Sequence, residues 1–178
     1  MHGPGAGYVA GRYYEGGAAS VATFQPANGT MRAGFVIYVR RSQAFDRIAC
    51  QITTAGSAGA LVRLGLYRWT VNGEPGVLLV DAGTVSAEGA GVTEATISQT
   101  LAPGIYVPTL VTQGAPATLP IYRSILGHNG TMGHASGDFG AANNTFQATG
   151  TTGALPSPFA TSPVGLGGGI PRLMLRAA

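Results

Sequence analysis

The stretch Arg47-Ile48-Ala49-Cys50-Gln51-Ile52-Thr53 alternates without a break, with Ile48, Cys50 and Ile52 on one side and Arg47, Ala49, Gln51 and Thr53 on the other. A period of two is the signature of a β-strand, whose successive side chains point to opposite faces, one toward a core and one toward water. The same rhythm extends outward in both directions. Upstream, Phe35-Val36-Ile37-Tyr38-Val39 is a β-branched and aromatic run too short for an ordinary helix. Downstream, Gly56-Ser57-Ala58-Gly59 turns the chain into Leu61–Tyr67, where Val62, Leu64 and Leu66 share one face and Arg63 and Tyr67 the other. Asn72-Gly73 and Pro75-Gly76 then predict a tight reversal. Val77–Val80 and Gly83–Val85 continue as strand with a break at Asp81-Ala82, and beyond Gly89 and Gly91 the residues Thr93, Ala95 and Ile97 oppose Glu94, Thr96 and Ser98. Pro103-Gly104 opens a strand from Ile105 to Val111. Within it Pro108 has no amide hydrogen to give a ladder, which predicts an edge position or a bulge. Leu119–Tyr122 reads as a shorter strand, and Pro171–Arg176 as the last, with Leu173 and Leu175 inward and Arg172 and Arg176 outward.

Composition agrees with this pattern. In 178 residues there are 29 Gly and 11 Pro, which leaves little room for long helices, since each costs stability inside one. The length fits one domain able to bury a core without disulfides or metal. Charge is sparse: all ten basic residues are Arg, dispersed from Arg12 to Arg176, and the net charge is +3. Nucleic-acid binders concentrate basic charge on one face or run, and only Arg40 and Arg41 are adjacent here, so no nucleic-acid partner is expected. Cys50 has no internal partner and falls on the apolar side of its strand, as a small buried hydrophobe does. The opening Met1-His2-Gly3-Pro4-Gly5 has no basic region followed by an apolar stretch, so no signal peptide is expected. No apolar run approaches the roughly 20 residues of a membrane-spanning helix, and no membrane insertion is expected.

Two regions fall outside the alternation. Residues 1–28 are rich in Gly, Ala and Ser, interrupted by Tyr8, Tyr13 and Tyr14; they read as an extended arm, with Tyr8, Arg12, Tyr13 and Tyr14 as assembly contacts. Residues 124–169 form a long polar, Gly-rich loop before the last strand, and loops of that length are usually functional or assembly-related. The expected architecture is all-β: an antiparallel two-sheet β-sandwich of jelly-roll type over residues 29–178, with the N-terminal arm and the long loop attached.

The residues offer little catalytic chemistry. The seven carboxylates Glu15, Asp46, Glu74, Asp81, Glu88, Glu94 and Asp138 sit mostly at turns or outward strand positions, and nothing in their spacing pairs two across a sugar as glycoside hydrolysis requires. No nucleophile elbow or phosphate-binding loop occurs. His128 and His134 with Asp138 have ligand chemistry, but Gly127, Gly130, Gly133 and Gly137 deprive them of rigid support, so neither a metal site nor a cofactor is expected. Binding chemistry is better represented. Aromatic rings stack on the apolar faces of sugars while amides and Arg bind the hydroxyls. Tyr67, Arg68 and Trp69 end a strand before Asn72-Gly73 and form one candidate rim; the loop residues His128, Asn129, His134 and Asp138 form another.

Several ordered segments carry a resemblance. Phe45-Asp46-Arg47-Ile48, Thr53-Thr54-Ala55-Gly56, Arg63-Leu64-Gly65-Leu66-Tyr67, then Gly73-Glu74-Pro75-Gly76 with Leu78 and Asp81-Ala82-Gly83-Thr84-Val85, and finally Pro103-Gly104-Ile105-Tyr106 resemble a module of tailed-bacteriophage tail fibres and minor tail proteins. The similarity spans about Met31 to Thr112. It implies a β-sandwich virion protein made in the bacterial cytoplasm, often trimeric, exposed on a phage or phage-like particle and often used for host attachment. The expected partners are further copies of the chain, most simply a trimer, other virion proteins and host cell-surface polysaccharide. A head-decorating protein with a purely structural role and a glycan-degrading virion enzyme are the alternatives. The chain departs from the pattern in lacking a fibrous stalk, and residues 124–169 lie outside the matched part, so receptor chemistry does not carry over to them.

Overall fold

The computed structural model describes residues 7–16, 20–114, 118, 120–126, 145–159 and 169–178. In chain order their strands are β1 (Tyr13–Tyr14), β2 (Ser20–Phe24), β3 (Met31–Ala33), β4 (Ile37–Val39), β5 (Gln43–Thr54), β6 (Leu61–Trp69) and β7 (Pro75–Ser86). There follow β8 (Gly91–Leu101), β9 (Gly104–Gln113), β10 (Ile121–Leu126), β11 (Gln147–Ala148), β12 (Ile170–Pro171) and β13 (Leu173–Ala177). No helix occurs among the described residues. Sheet A holds β1, β2, β5, β8, β10, β12 and β13; sheet B holds β3, β4, β6, β7, β9 and β11. Every pairing is antiparallel. The all-β, two-sheet expectation is met.

Between the sheets lies the core that the alternation foretold. Ile48, Cys50 and Ile52 of β5, Val62, Leu64 and Leu66 of β6, Ala95 and Ile97 of β8, and Leu173 and Leu175 of β13 all point into it. Fully burying each of the larger aliphatic side chains contributes about 1.5–3 kcal/mol before the entropy of ordering is charged against it.

A second apolar cluster lies on the outer face of sheet B, where the alternation alone leads one to expect solvent. Met31, Ala33, Val36, Tyr67, Val107 and Val111 are covered there by Ala148, Leu155 and Phe159, with Phe146 packed alongside. Residues 145–159 thus form a strap across the sheet. Main-chain and side-chain bonds tie it down: Tyr67 Oη donates to Pro156 O at 2.8 Å, Gln113 Nε2 to Gly153 O at 2.6 Å, and Phe159 N to Gly76 O at 2.9 Å. Leu155 lies over Gly65, where a Cβ would stand 2.1 Å from Leu155 Cδ1. The glycine is what lets the strap approach. Part of the expected long loop is therefore structural cover, and its first residues, Ser124–Leu126, belong to β10.

Three local expectations are corrected. The described part of residues 1–28 is no free arm: β1 pairs with β13, β2 pairs with β10, and Tyr8 and Tyr14 pack against the inter-sheet core. The tyrosines account for this. The Tyr8 ring meets Tyr14 at 4.6 Å and Phe45 at 5.2 Å, edge to face, and its hydroxyl donates to Tyr38 O at 2.8 Å. Pro108 lies in β9, between β6 on one side and β3 and β4 on the other, and so is not at an edge. Its absent amide hydrogen causes no loss, because it falls in the gap between β3 and β4, where Pro108 O accepts from Gly34 N at 2.7 Å. The supposed break at Asp81-Ala82 is an irregularity within the continuous β7. There Gly83 takes φ +76°, a conformation open to glycine, and its N–H reaches Asp81 Oδ1 at 3.1 Å.

Candidate binding groove

Directly opposed residues on neighbouring strands share a face, so the pairing register lays out the outer surface of sheet A in rows. One row is Tyr13, Arg176, Arg47 and Thr96; the next runs Met174, Ala49 and Glu94; a third runs Gln51 to Val92, with Arg172 at its end. Ala49 is the smallest side chain of the set and only 4% exposed, while Val92 is 71% and Tyr13 39% exposed. A small residue flanked by long ones makes a pit. A groove of about 230 Å³ opens there, lined by Tyr13, Ala49, Gln51, Val92, Arg172 and Met174, with Cys50 below the floor.

Tyr13 is one wall. Its hydroxyl donates to Glu94 Oε2, and Arg176 lies over its ring with the guanidinium carbon 5.9 Å from the centroid. The Glu94 bond raises the phenol above its ordinary value, so the ring stays neutral and fixed across the physiological range. The rim is built from ion pairs. Arg172 holds Glu15 through two 2.7 Å bonds, Arg176 holds Asp46 through bonds of 2.8 and 2.7 Å, and Arg47 Nε approaches Glu94 Oε1 at 3.3 Å. Hydrogen bonding to Glu15 and to Asp46 raises Arg172 and Arg176 respectively, and Arg176 lowers the Asp46 carboxyl. Each pair is only part-buried, so it contributes modestly to stability; its larger effect is to hold the rim in one geometry. Burial pushes the Cys50 thiol up to about 12, which makes it inert as a nucleophile beneath the floor. The arrangement presents apolar surface from Tyr13, Met174 and Val92 beside the amide of Gln51 and the guanidinium of Arg172.

The first candidate rim is divided by the structure. Tyr67 is fully buried under the strap against Phe159, 5.2 Å away, and burial raises its phenol; it is no ligand-stacking surface. The reason is that the face it shares with Arg63 is the one the strap covers. Trp69 is half-buried against Phe146, while Arg68 and Asn72 are exposed. Arg68 and Asn72 therefore remain on the surface without the aromatic partner that the rim requires. His128, Asn129, His134 and Asp138 lie outside the described residues. Of the assembly contacts, Tyr8 and Tyr14 face the chain's own core, Arg12 bonds Val9 and Ala177 through its main chain, and Tyr13 belongs to the groove. Among the described residues no three of His, Cys, Asp and Glu gather as a metal-ligand set. The groove was present in the sequence only as Ala49, a small residue in an outward row, and the register that sets Tyr13 beside it joins positions far apart in the chain.

Compared with models of known protein families, with curated proteins and with solved structures, the chain finds no match.

Proposed function

We propose that this chain is a non-catalytic structural protein of a bacteriophage or phage-like particle that attaches to host cell-surface polysaccharide through the groove on sheet A. The carrying observation is the groove itself: an apolar pit floored by Ala49, walled by Tyr13, Met174 and Val92, with Gln51 and Arg172 at hand for hydroxyls. Such a mixture of an aromatic face and a few fixed polar groups suits a sugar ring. The tail-protein resemblance supplies the particle, and its segments fall on β5, β6, β7 and β9 and on turns beside them. Glu15, Asp46, Asp81 and Glu94 are engaged with arginines, which favours scaffolding over acid–base work. We read the connectivity as jelly-roll in type, because the chain changes sheet at β4–β5, β5–β6, β7–β8, β8–β9 and β9–β10. In this reading the protein is a homo-oligomer, most simply a trimer, and one shallow groove per copy gives firm attachment through multivalency.

The test is to incubate labelled protein with whole host cells while assaying released sugar. Binding without sugar release, lost in Tyr13→Ala and in Ala49→Leu, is the expected result. Normal particle assembly with no cell binding would favour the decoration role, and sugar release would overturn the non-catalytic reading.

A further inference from the structure

We propose that the groove on sheet A selects uncharged sugar units and rejects uronic and sialic acids. This inference rests on the glycan-binding reading above and concerns the class of sugar. Among the described residues the rim carries three cations, Arg47, Arg172 and Arg176, and three anions, Glu15, Glu94 and Asp46, each cation paired with one anion. An incoming carboxylate therefore meets no unpaired cation among the described residues of the rim. To engage Arg172 it must displace Glu15 from a two-bond fork, and it would then lie beside that carboxylate at like charge. A hydroxyl has no such difficulty. Arg172 spends Nε and Nη2 on Glu15, which leaves Nη1 to donate, and the Gln51 amide both donates and accepts. Neighbouring hydroxyls of a pyranose both donate and accept, and its C–H face matches the Tyr13 ring and Met174. Electrostatic neutrality at the rim acts here as selection against the wrong ligand rather than as attraction to the right one.

Paired probes isolate the charge. Methyl glucoside and methyl galactoside would be titrated into the full chain beside the corresponding methyl glucuronide and methyl galacturonide, which differ by a carboxylate in place of the hydroxymethyl group, with binding read from chemical-shift changes. N-acetylneuraminate completes the set. We expect at least one neutral glycoside to bind at least about tenfold more tightly than its acidic counterpart, a ratio within the range one altered group commands. Val92→Ala, an exposed substitution compatible with folding, should weaken that binding. Glu15→Gln frees the Arg172 cation and should raise affinity for the acidic sugar several-fold while the neutral one changes little. Acidic sugars binding as tightly as neutral ones, or an unchanged preference in Glu15→Gln, would overturn the selection and leave glycan binding standing. If no glycoside binds, or binding leaves Gln51, Val92 and Met174 unshifted, the glycan-binding reading at this groove fails as well.

Discussion

The outer faces of the two sheets obey the same alternation and end in opposite conditions. On sheet A the outward residues include Arg47, Glu94, Thr96, Gln51, Arg172 and Arg176 together with Tyr13, Ala49, Val92 and Met174, and the described residues leave the face open with a pit at Ala49. On sheet B the outward residues are mostly apolar, with Met31, Ala33, Tyr67, Val107 and Val111 beside Arg63 and Thr109, and the chain lays residues 145–159 over the apolar ones. The difference teaches that parity assigns a side chain to a face, while the polarity of that whole row decides whether the face stays open or must be covered. An apolar row of that size left in water would be an aggregation hazard. The proposed ligand contact therefore falls on sheet A, while the covered face of sheet B serves stability.

Substitutions should separate the two faces, the largest effect falling under the strap. Tyr67→Ala removes a fully buried ring that packs on Phe159 and bonds Pro156, and should cost about 3–5 kcal/mol in chemical denaturation with the cover loosened, seen as faster proteolysis within residues 145–159. Tyr67→Phe keeps the ring, loses only the hydroxyl, and should cost about 1 kcal/mol. Gly65→Ala puts a methyl against Leu155 and 3.1 Å from Val80 O, and should cost about 1–3 kcal/mol by the same measurement. If either large effect were absent, the strap would be an ornament and the contrast between the faces would collapse.

The strap is also tied to the sheet through a carboxylate, which gives it a pH dependence. Asp81 accepts from Arg63 at 2.7 and 2.8 Å, from Gly83 N and from Leu155 N at 3.1 Å, joining β6 and β7 to the cover. Burial pushes this carboxyl up, and the bonds from Arg63, Leu155 and Gly83 outweigh it, so its value lies below the ordinary one. A carboxyl depressed in the folded state contributes stability that is present above its unfolded value and is lost as pH falls through the folded value. Stability should decline below about pH 4 in the parent. In Asp81→Asn the decline should be shallower and the neutral-pH stability lower by about 1–2 kcal/mol, on the scale of hydrogen bonds to a charged group discounted for partial exposure. An unchanged acid limb in the variant would remove Asp81 as the cause.

How far all this could be read from the sequence follows from the range of the interactions. The strands from β5 to β9 were legible because period-two alternation is local, and the Asn72-Gly73 reversal because Gly73 needs its positive φ of 80°. Pro108 misled because its cost depends on what faces its nitrogen, and the gap between β3 and β4 is set by residues 34–36, far away in the chain. Tyr67 misled because a strand reveals which face a ring takes and not what lies upon it; Leu155 and Phe159 arrive from some ninety residues downstream. The region 1–28 misled because its Gly-rich composition outweighed three tyrosines whose docking partners, Phe45, Tyr38 and β13, lie outside it. The groove combines all three difficulties, since it needs the register of β1, β13, β5 and β8 together.

The smallest expected effect sharpens the comparison most, because it concerns one hydroxyl. Thr109 is fully buried on the outer face of sheet B, between Val107 and Val111 on β9, and its Oγ1 has no hydrogen-bond partner among the described residues. A buried hydroxyl without a partner costs free energy on desolvation, and a valine of nearly the same shape avoids that cost while keeping the packing. Thr109→Val should therefore raise stability, by about 1 kcal/mol, as a shifted denaturation midpoint with unchanged slope. On sheet A the same exchange at Thr96, an exposed outward position, exchanges a solvated hydroxyl for a methyl and should leave the midpoint within about 0.5 kcal/mol of the parent. A gain at Thr109 with none at Thr96 identifies the sheet B face as dry under its strap and the sheet A face as wet. Equal responses at the two sites would mean that water reaches both, and the strap would then no longer account for where the apolar row is buried.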